Sequence, residues 1–226
     1  MENVEYRGYT IEIESDNDPL NPRTDYDTGT VMVCQHGCYS LGDEKHGVDL
    51  GGCNNWADVK QAIIDQKSPI VILPLYLYDH SGITMNTTGF GCRFDSGQVG
   101  FIFVDEAKCD MIGWTKEYIA TLTNGDNPKY KGKEREEILT DFMISDVETY
   151  DNYISRQVYR FEIDGIEDEY SCGGFFGYDH EKSGLLSEAR SSIDADIGYK
   201  IKKKIEKLKE LIKAKVPVIY RVLPSL

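Results

Sequence analysis

The sequence predicts an α+β fold: a mixed or antiparallel central sheet with flanking helices and a basic amphipathic C-terminal helix. Three observations carry this. Short runs that alternate apolar and polar residues, or are wholly apolar, occur at 9–14, 30–34, 70–78, 98–104, 158–163 and 170–176, as strands require. Elsewhere apolar residues recur three and four apart, most clearly at Ile197, Ile201, Ile205, Leu208 and Ile212. The two kinds of run come in clusters rather than in strict alternation, which favours α+β over a wound parallel sheet.

Tyr9-Thr10-Ile11-Glu12-Ile13-Glu14 reads as a half-buried strand, and Asp16-Asn17-Asp18-Pro19-Leu20-Asn21-Pro22 ends it in a long loop. Thr30 to Cys34 is a second strand. Gly37, Gly42, Gly47, Gly51 and Gly52 then make the stretch to Cys53 loop-rich. Asn55 caps a short helix with Trp56, Val59, Ile63 and Ile64 on one face, stopped before Ser68-Pro69. Ile70 to Tyr78 is apolar on both faces and belongs inside a sheet, with Pro74 demanding a bulge or an edge. Gln98 to Val104 is its expected partner, across a polar connection from Asp79 to Thr88 and a loop from Gly89 to Gly97.

Helical sequence follows around 106–119, then a Gly125-Asp126-Asn127-Pro128 turn, then a helix over 134–153 carrying Ile138, Phe142, Val147 and Tyr150. Val158 to Ile163 and Tyr170 to Phe176 form a hairpin across Asp164-Gly165. The last helix ends before Val216-Pro217, with a short strand expected over 218–222. Residues 1–226 are read as one domain, with 197–226 docked on its body because the isoleucine stripe needs an apolar surface.

Composition narrows the function classes. The 226 residues hold 39 Asp plus Glu against 25 Lys plus Arg, a net charge of −14, and are 40% hydrophobic and 11% aromatic. That excludes collagen, a coiled coil and an acidic disordered chain. The longest apolar run, 70–78, is too short for the roughly 20 residues of a membrane span. The start, Met1 to Tyr6, lacks the basic and apolar segments of a secretory signal, so a cytoplasmic location is expected, with no membrane contact. Residues 198–226 hold eight Lys and one Arg against two Glu, a balance of +7, which leaves −21 for residues 1–197. Direct nucleic-acid binding is not expected from so acidic a body, and the lysines read first as the solvated face of the helix.

Four groups of residues are candidates for chemistry. Asp79-His80-Ser81-Gly82 leaves a buried strand, where side chains can converge, and His80 with Asp79 or Asp95 has the composition of an acid-base pair. Ser81 and Ser96, with His36 and Asp43 from the glycine-rich segment, complete this candidate catalytic set. The same Asp and Ser residues are also ordinary turn formers. Cys34, His36, Cys38, His46 and Cys53 include soft zinc ligands, but Cys34 and Cys38 are set wider than the usual C-x-x-C, and neither metal nor cofactor is assigned. The Asp16, Asp18, Asp25 and Asp27 loop lacks the ordered spacing and glycine of a calcium loop. Glu12, Glu14, Asp16, Asp18, Glu148, Glu167, Asp168 and Glu169, with Asp25, Asp27, Asp146, Asp151, Glu162 and Asp164, make a candidate acidic surface for a basic partner.

Two long segments, Val71-Ile72-Leu73-Pro74-Leu75-Tyr76-Leu77-Tyr78-Asp79-His80-Ser81-Gly82-Ile83-Thr84-Met85 and Asp95-Ser96-Gly97-Gln98-Val99-Gly100-Phe101-Ile102-Phe103-Val104, resemble a family of uncharacterised proteins of bacteriophages and other mobile elements. Shorter fragments at 29–36, 39–43, 146–151 and 171–177 are similar to it as well. The resemblance implies a phage context and no catalytic assignment. The resulting expectation is an accessory protein that inhibits a host defence system, anti-CRISPR or other, by binding a nucleic-acid-binding component through an acidic surface. A hydrolase or nucleotide-binding protein with an Asp/His/Ser pocket is the alternative.

Overall fold

The computed structural model describes residues 2–166 and 170–221. The chain forms two compact units, one of residues up to Pro19 together with those from Gln157 onward, the other of Leu20–Arg156. The strands make two four-stranded sheets rather than one, and every strand pairing is antiparallel. The fold class is α+β. Among the described residues no helix is long and apolar enough to cross a membrane.

The unit of residues 20–156 contains β3 (Val31–Cys34), α1 (Trp56–Lys67), β4 (Val71–Asp79), β5 (Ile83–Asn86), β6 (Ser96–Val104), α2 (Glu106–Met111), α3 (Lys116–Asn124) and α4 (Arg135–Ile154). Its sheet runs β3-β6-β4-β5. Alternation along the strands sends Met32, Leu75, Leu77, Ile102 and Val104 toward Ile138, Leu139, Met143, Val147 and Tyr150 of α4. Val31, Val33, Phe101 and Phe103 meet Val59 and Ile63 of α1. The sheet thus lies between two helical layers, and β6 is buried from Val99 to Val104. Gly100 is required there: a Cβ on it would stand 2.1 Å from the Val33 carbonyl oxygen of β3. Asn55 caps α1 as expected, its Oδ1 accepting from the amides of Ala57 and Asp58. Pro74 sits where β4 has one neighbour, because β5 pairs only with Tyr76–Asp79, and the register shifts next to it between Leu75 and Tyr76.

Two expectations change in this unit. The polar connection after Asp79 contains β5, whose four residues are too few to show a period. The helical stretch at 106–119 is divided: Asp105 caps α2, Thr115 caps α3, and Gly113 at φ +76° breaks the path between them.

The other unit holds β1 (Glu2–Tyr6), β2 (Tyr9–Ser15), β7 (Val158–Asp164), β8 (Tyr170–Phe176) and α5 (Leu185–Lys213), with strand order β1-β2-β7-β8. β1 was hidden in the sequence by Glu2, Asn3 and Glu5, and Arg7 and Gly8, both at positive φ, join it to β2. Ile11, Ile13, Phe161 and Ile163 pack on Leu185, Leu186, Ala189 and Ile193. The helix therefore begins at Leu185 and buries its first half, while Ile201, Ile205 and Ile212 remain 44%, 47% and 50% exposed. Where a strand was expected over 218–222, Val218–Tyr220 is a 3-10 turn after Pro217, and Val222 lies outside the described residues.

Candidate functional site

The Asp79-His80-Ser81-Gly82 motif is the tip of the β4–β5 hairpin. Asp79 pairs with Ile83, so His80, Ser81 and Gly82 form a three-residue loop, with Ser81 and Gly82 at φ 59° and 151°. The Asp95-Ser96-Gly97 motif begins β6 beside it, and the Asp79 amide donates to the Asp95 carbonyl at 2.8 Å. The structure brings His80 and Asp95 together, with Nδ1 to Oδ2 at 3.7 Å and side chains 65% and 37% exposed. The Cys92 thiol donates to the same Asp95 carboxylate at 3.3 Å, and Ser96 Oγ donates to the Cys92 carbonyl. Ser96 is thus committed to its own loop. Asp79 lies near the Tyr39 hydroxyl and raises its pKa, and Tyr39 stacks on His36 at 5.0 Å between ring centroids. His36, Tyr39, Asp79, His80 and Asp95 form a chain of contacts along one end of the sheet. Water reaches the His80–Asp95 pair, so a charge developing there would be screened.

Asp43 is elsewhere. Arg23, buried with its side chain fully covered, donates through Nε and Nη2 to both Asp43 carboxylate oxygens at 2.7 and 2.8 Å. Nη1 donates to Asp146 at 2.8 Å and Thr30 Oγ1 at 3.0 Å, and Nη2 also reaches the Thr30 carbonyl. All the guanidinium protons are used. Burial opposes the charge, but the hydrogen bonds and proximity of Asp43 and Asp146 outweigh it and raise the Arg23 pKa. Asp43 is therefore a structural partner, and Asp146 is withdrawn from any binding surface. Asp151 is likewise structural: it accepts the Met85 amide at 2.6 Å, and burial raises its pKa. Arg23 is a residue that sequence reasoning missed. One arginine inside an aspartate-rich loop carries no pattern that announces burial.

The zinc candidates disperse. Cys34 lies at the end of β3, where burial and the nearby Asp43 push its thiol up to about 12, far from a nucleophilic thiolate. His36 Nδ1 accepts from the Cys38 amide, His46 Nδ1 from the Val48 amide, and Cys53 packs against the α1 side of the sheet. Among the described residues no three His, Cys, Asp or Glu side chains gather where a metal ion would fit.

The acidic candidates divide more usefully. In the unit containing β1, β2, β7 and β8, α5 covers the face with Ile11, Ile13, Phe161 and Ile163. Register places Glu5, Thr10, Glu12, Glu14, Arg160, Glu162, Asp164 and Ser171 on the opposite face. Glu12 stands directly opposite Glu162, while Arg160 is shared between Glu14 at 3.4 Å and Glu162 at 2.7 Å. Glu12, Glu162, Asp164, Tyr170 and Ser171 line a cleft of about 290 Å³ on this face. Asp16 does not belong to it: its carboxylate braces β8 by accepting the Gly174 amide at 2.9 Å, and it also takes the Asp18 amide in the turn. Glu148 is on α4 in the other unit, and Glu167, Asp168 and Glu169 lie outside the described residues. Glu5 was overlooked because β1 was not recognised. No family model matches this chain, and neither a curated protein nor a solved structure matches it.

Proposed function

We propose that this is a binding protein: a phage accessory factor that blocks a host defence system by laying the acidic sheet face of Glu5, Glu12, Glu14, Glu162 and Asp164 on a basic, nucleic-acid-binding surface of one defence component. The observation that carries the reading is the pairing of Glu12 with Glu162 in register on that face. Like charges directly opposite each other cost a sheet stability. A Lys- or Arg-rich surface bound there relieves that repulsion, so the free chain bears a cost that complex formation removes. The test is affinity capture from a host carrying defence systems, at low and at high salt, with the native chain and with Glu12→Gln/Glu162→Gln/Asp164→Asn. The native chain is expected to retain a basic defence component at low salt, and the variant and the high-salt wash are expected to lose it. Equal capture by the variant would sink the idea.

One contact favours a second reading, hydrolysis at the hairpin tip: the approach of His80 to Asp95. His80→Asn would abolish such an activity in a screen against ester and phosphoester substrates, and unchanged turnover would remove it.

A further inference from the structure

A cleft of about 700 Å³ lies in the unit of residues 20–156, well within the roughly 300–1,000 Å³ of small-molecule sites. Its walls are the segment from Arg23 to Thr28, the segment from Asp43 to Gly47, Lys67 at the end of α1, and Asp105 to Met111 at α2. At its floor the Arg23 cluster is closed on itself, with the guanidinium spent on Asp43, Asp146 and Thr30. Asp105 is engaged as the cap of α2, accepting the Lys108 amide at 2.9 Å.

The charged side chains that line the cleft are Lys45, Lys67 and Lys108 against Asp27, Glu44 and the capping Asp105, beside the Arg23–Asp43 pair. Among the described residues none of the three lysines has a carboxylate partner, and Lys108 reaches only the Thr28 carbonyl, at 3.4 Å. His46 Nδ1 accepts the Val48 amide, which leaves Nε2 as a further donor. Beside these groups stand apolar surfaces, with Tyr26 49% and Met111 50% exposed.

Each simple ligand class leaves part of this lining unused. A plain inorganic anion would ignore the aromatic and thioether wall. A wholly apolar ligand would strip water from lysines and give nothing back. A compound with an anionic end, a hydroxylated middle and a flat apolar end uses all three kinds of surface. We propose that the cleft binds a nucleoside phosphate: its phosphate is held by Lys45, Lys67 and Lys108, its sugar hydroxyls donate to Asp27 and Glu44, and its base lies against Tyr26 and Met111. This site is independent of the acidic sheet face and of the His80 hairpin.

The experiment is isothermal titration of the intact chain with AMP, GMP, CMP and UMP, and with adenosine and inorganic phosphate as the separated parts. At least one nucleotide should bind, at least tenfold tighter than either part, and more weakly as salt rises. Lys45→Ala/Lys67→Ala should weaken it at least tenfold. Tyr26→Ala, at an exposed position, should weaken the nucleotide and leave any phosphate binding unchanged. Circular dichroism establishes that the variants are folded. No binding of any nucleotide at millimolar concentration overturns the proposal. So does undiminished binding by the folded double variant, or phosphate binding as tightly as the nucleotides, which would reduce the cleft to an ion site.

Discussion

Asp43 shows how a residue's chemistry depends on what stands beside it. It was a catalytic candidate in the sequence, and in the fold both of its oxygens neutralise Arg23 while one of them also takes the Met32 amide at 3.0 Å. Asp43→Ala leaves a fully covered guanidinium with Asp146 as its remaining carboxylate, and a loss of about 3–5 kcal/mol is expected, read as a lower urea midpoint. A loss below about 1 kcal/mol would show the cluster to be dispensable. Glu106 offers a pH test. The two Arg135 nitrogens at 2.8 and 2.7 Å and Lys116 at 3.0 Å hold its carboxyl at about 2, below the ordinary 4.5. Its contribution is present above pH 4.5 and is lost as pH falls toward 2, since protonation is easier in the unfolded chain. Glu106→Gln should therefore be less stable than the native chain at pH 7 and equal to it near pH 2 in urea titrations across that range. The side chain is 50% exposed, so solvent screening keeps the effect small.

At the scale of elements, α5 separates periodicity from burial. Its isoleucines keep one helical stripe from Ile193 to Ile212, yet Ile193 is fully buried while Ile205 is 47% exposed. Ile193→Ala should cost about 2–5 kcal/mol, and hydrogen exchange should show protection lost first in β1, β2, β7 and β8, whose core it fills. Ile205→Asp, which the stripe alone marks as disruptive, should change stability by less than about 0.5 kcal/mol. Comparable losses from both would show the far half of α5 to be docked. The hairpin at Asp79–Ile83 makes the same distinction: its residues look catalytic in composition, and three of them are accounted for by the loop that joins two strands.

For the molecule as a whole, charge and stability pull in opposite directions. Residues 1–197 carry a net −21 even with Arg23, Arg135 and Arg160 counted in ion pairs, and the sheet face opposite α5 keeps Glu12 against Glu162, whose one arginine, Arg160, is shared with Glu14. Removing that repulsion should stabilise the free protein. Glu12→Gln is expected to raise stability by about 0.2–1 kcal/mol while weakening capture of a basic partner, a pairing of effects that a merely structural glutamate would not produce. A variant that loses both stability and capture would place Glu12 in the fold's own support instead.

Period and capping determined much of this protein. The α+β class, the burial of β4 and β6, the Asn55 cap of α1 and the β7–β8 hairpin follow from local alternation and local hydrogen bonding, which the chain carries in its order of residues. Short or polar elements escaped, as β1 and β5 did, because five and four residues define no period. The start of α5 escaped for a different reason: Ala189 and the serines of its first turns weaken the apolar contrast that burial against Phe161 supplies. Only the tertiary structure decided that Asp43 and Asp146 converge on Arg23 across 20 and 123 residues of chain. The same holds for Glu12 facing Glu162 and for the three lysines sharing a cleft. Ion pairing, cross-strand repulsion and cavity lining depend on distances through space, and a one-dimensional pattern records distances only along the backbone.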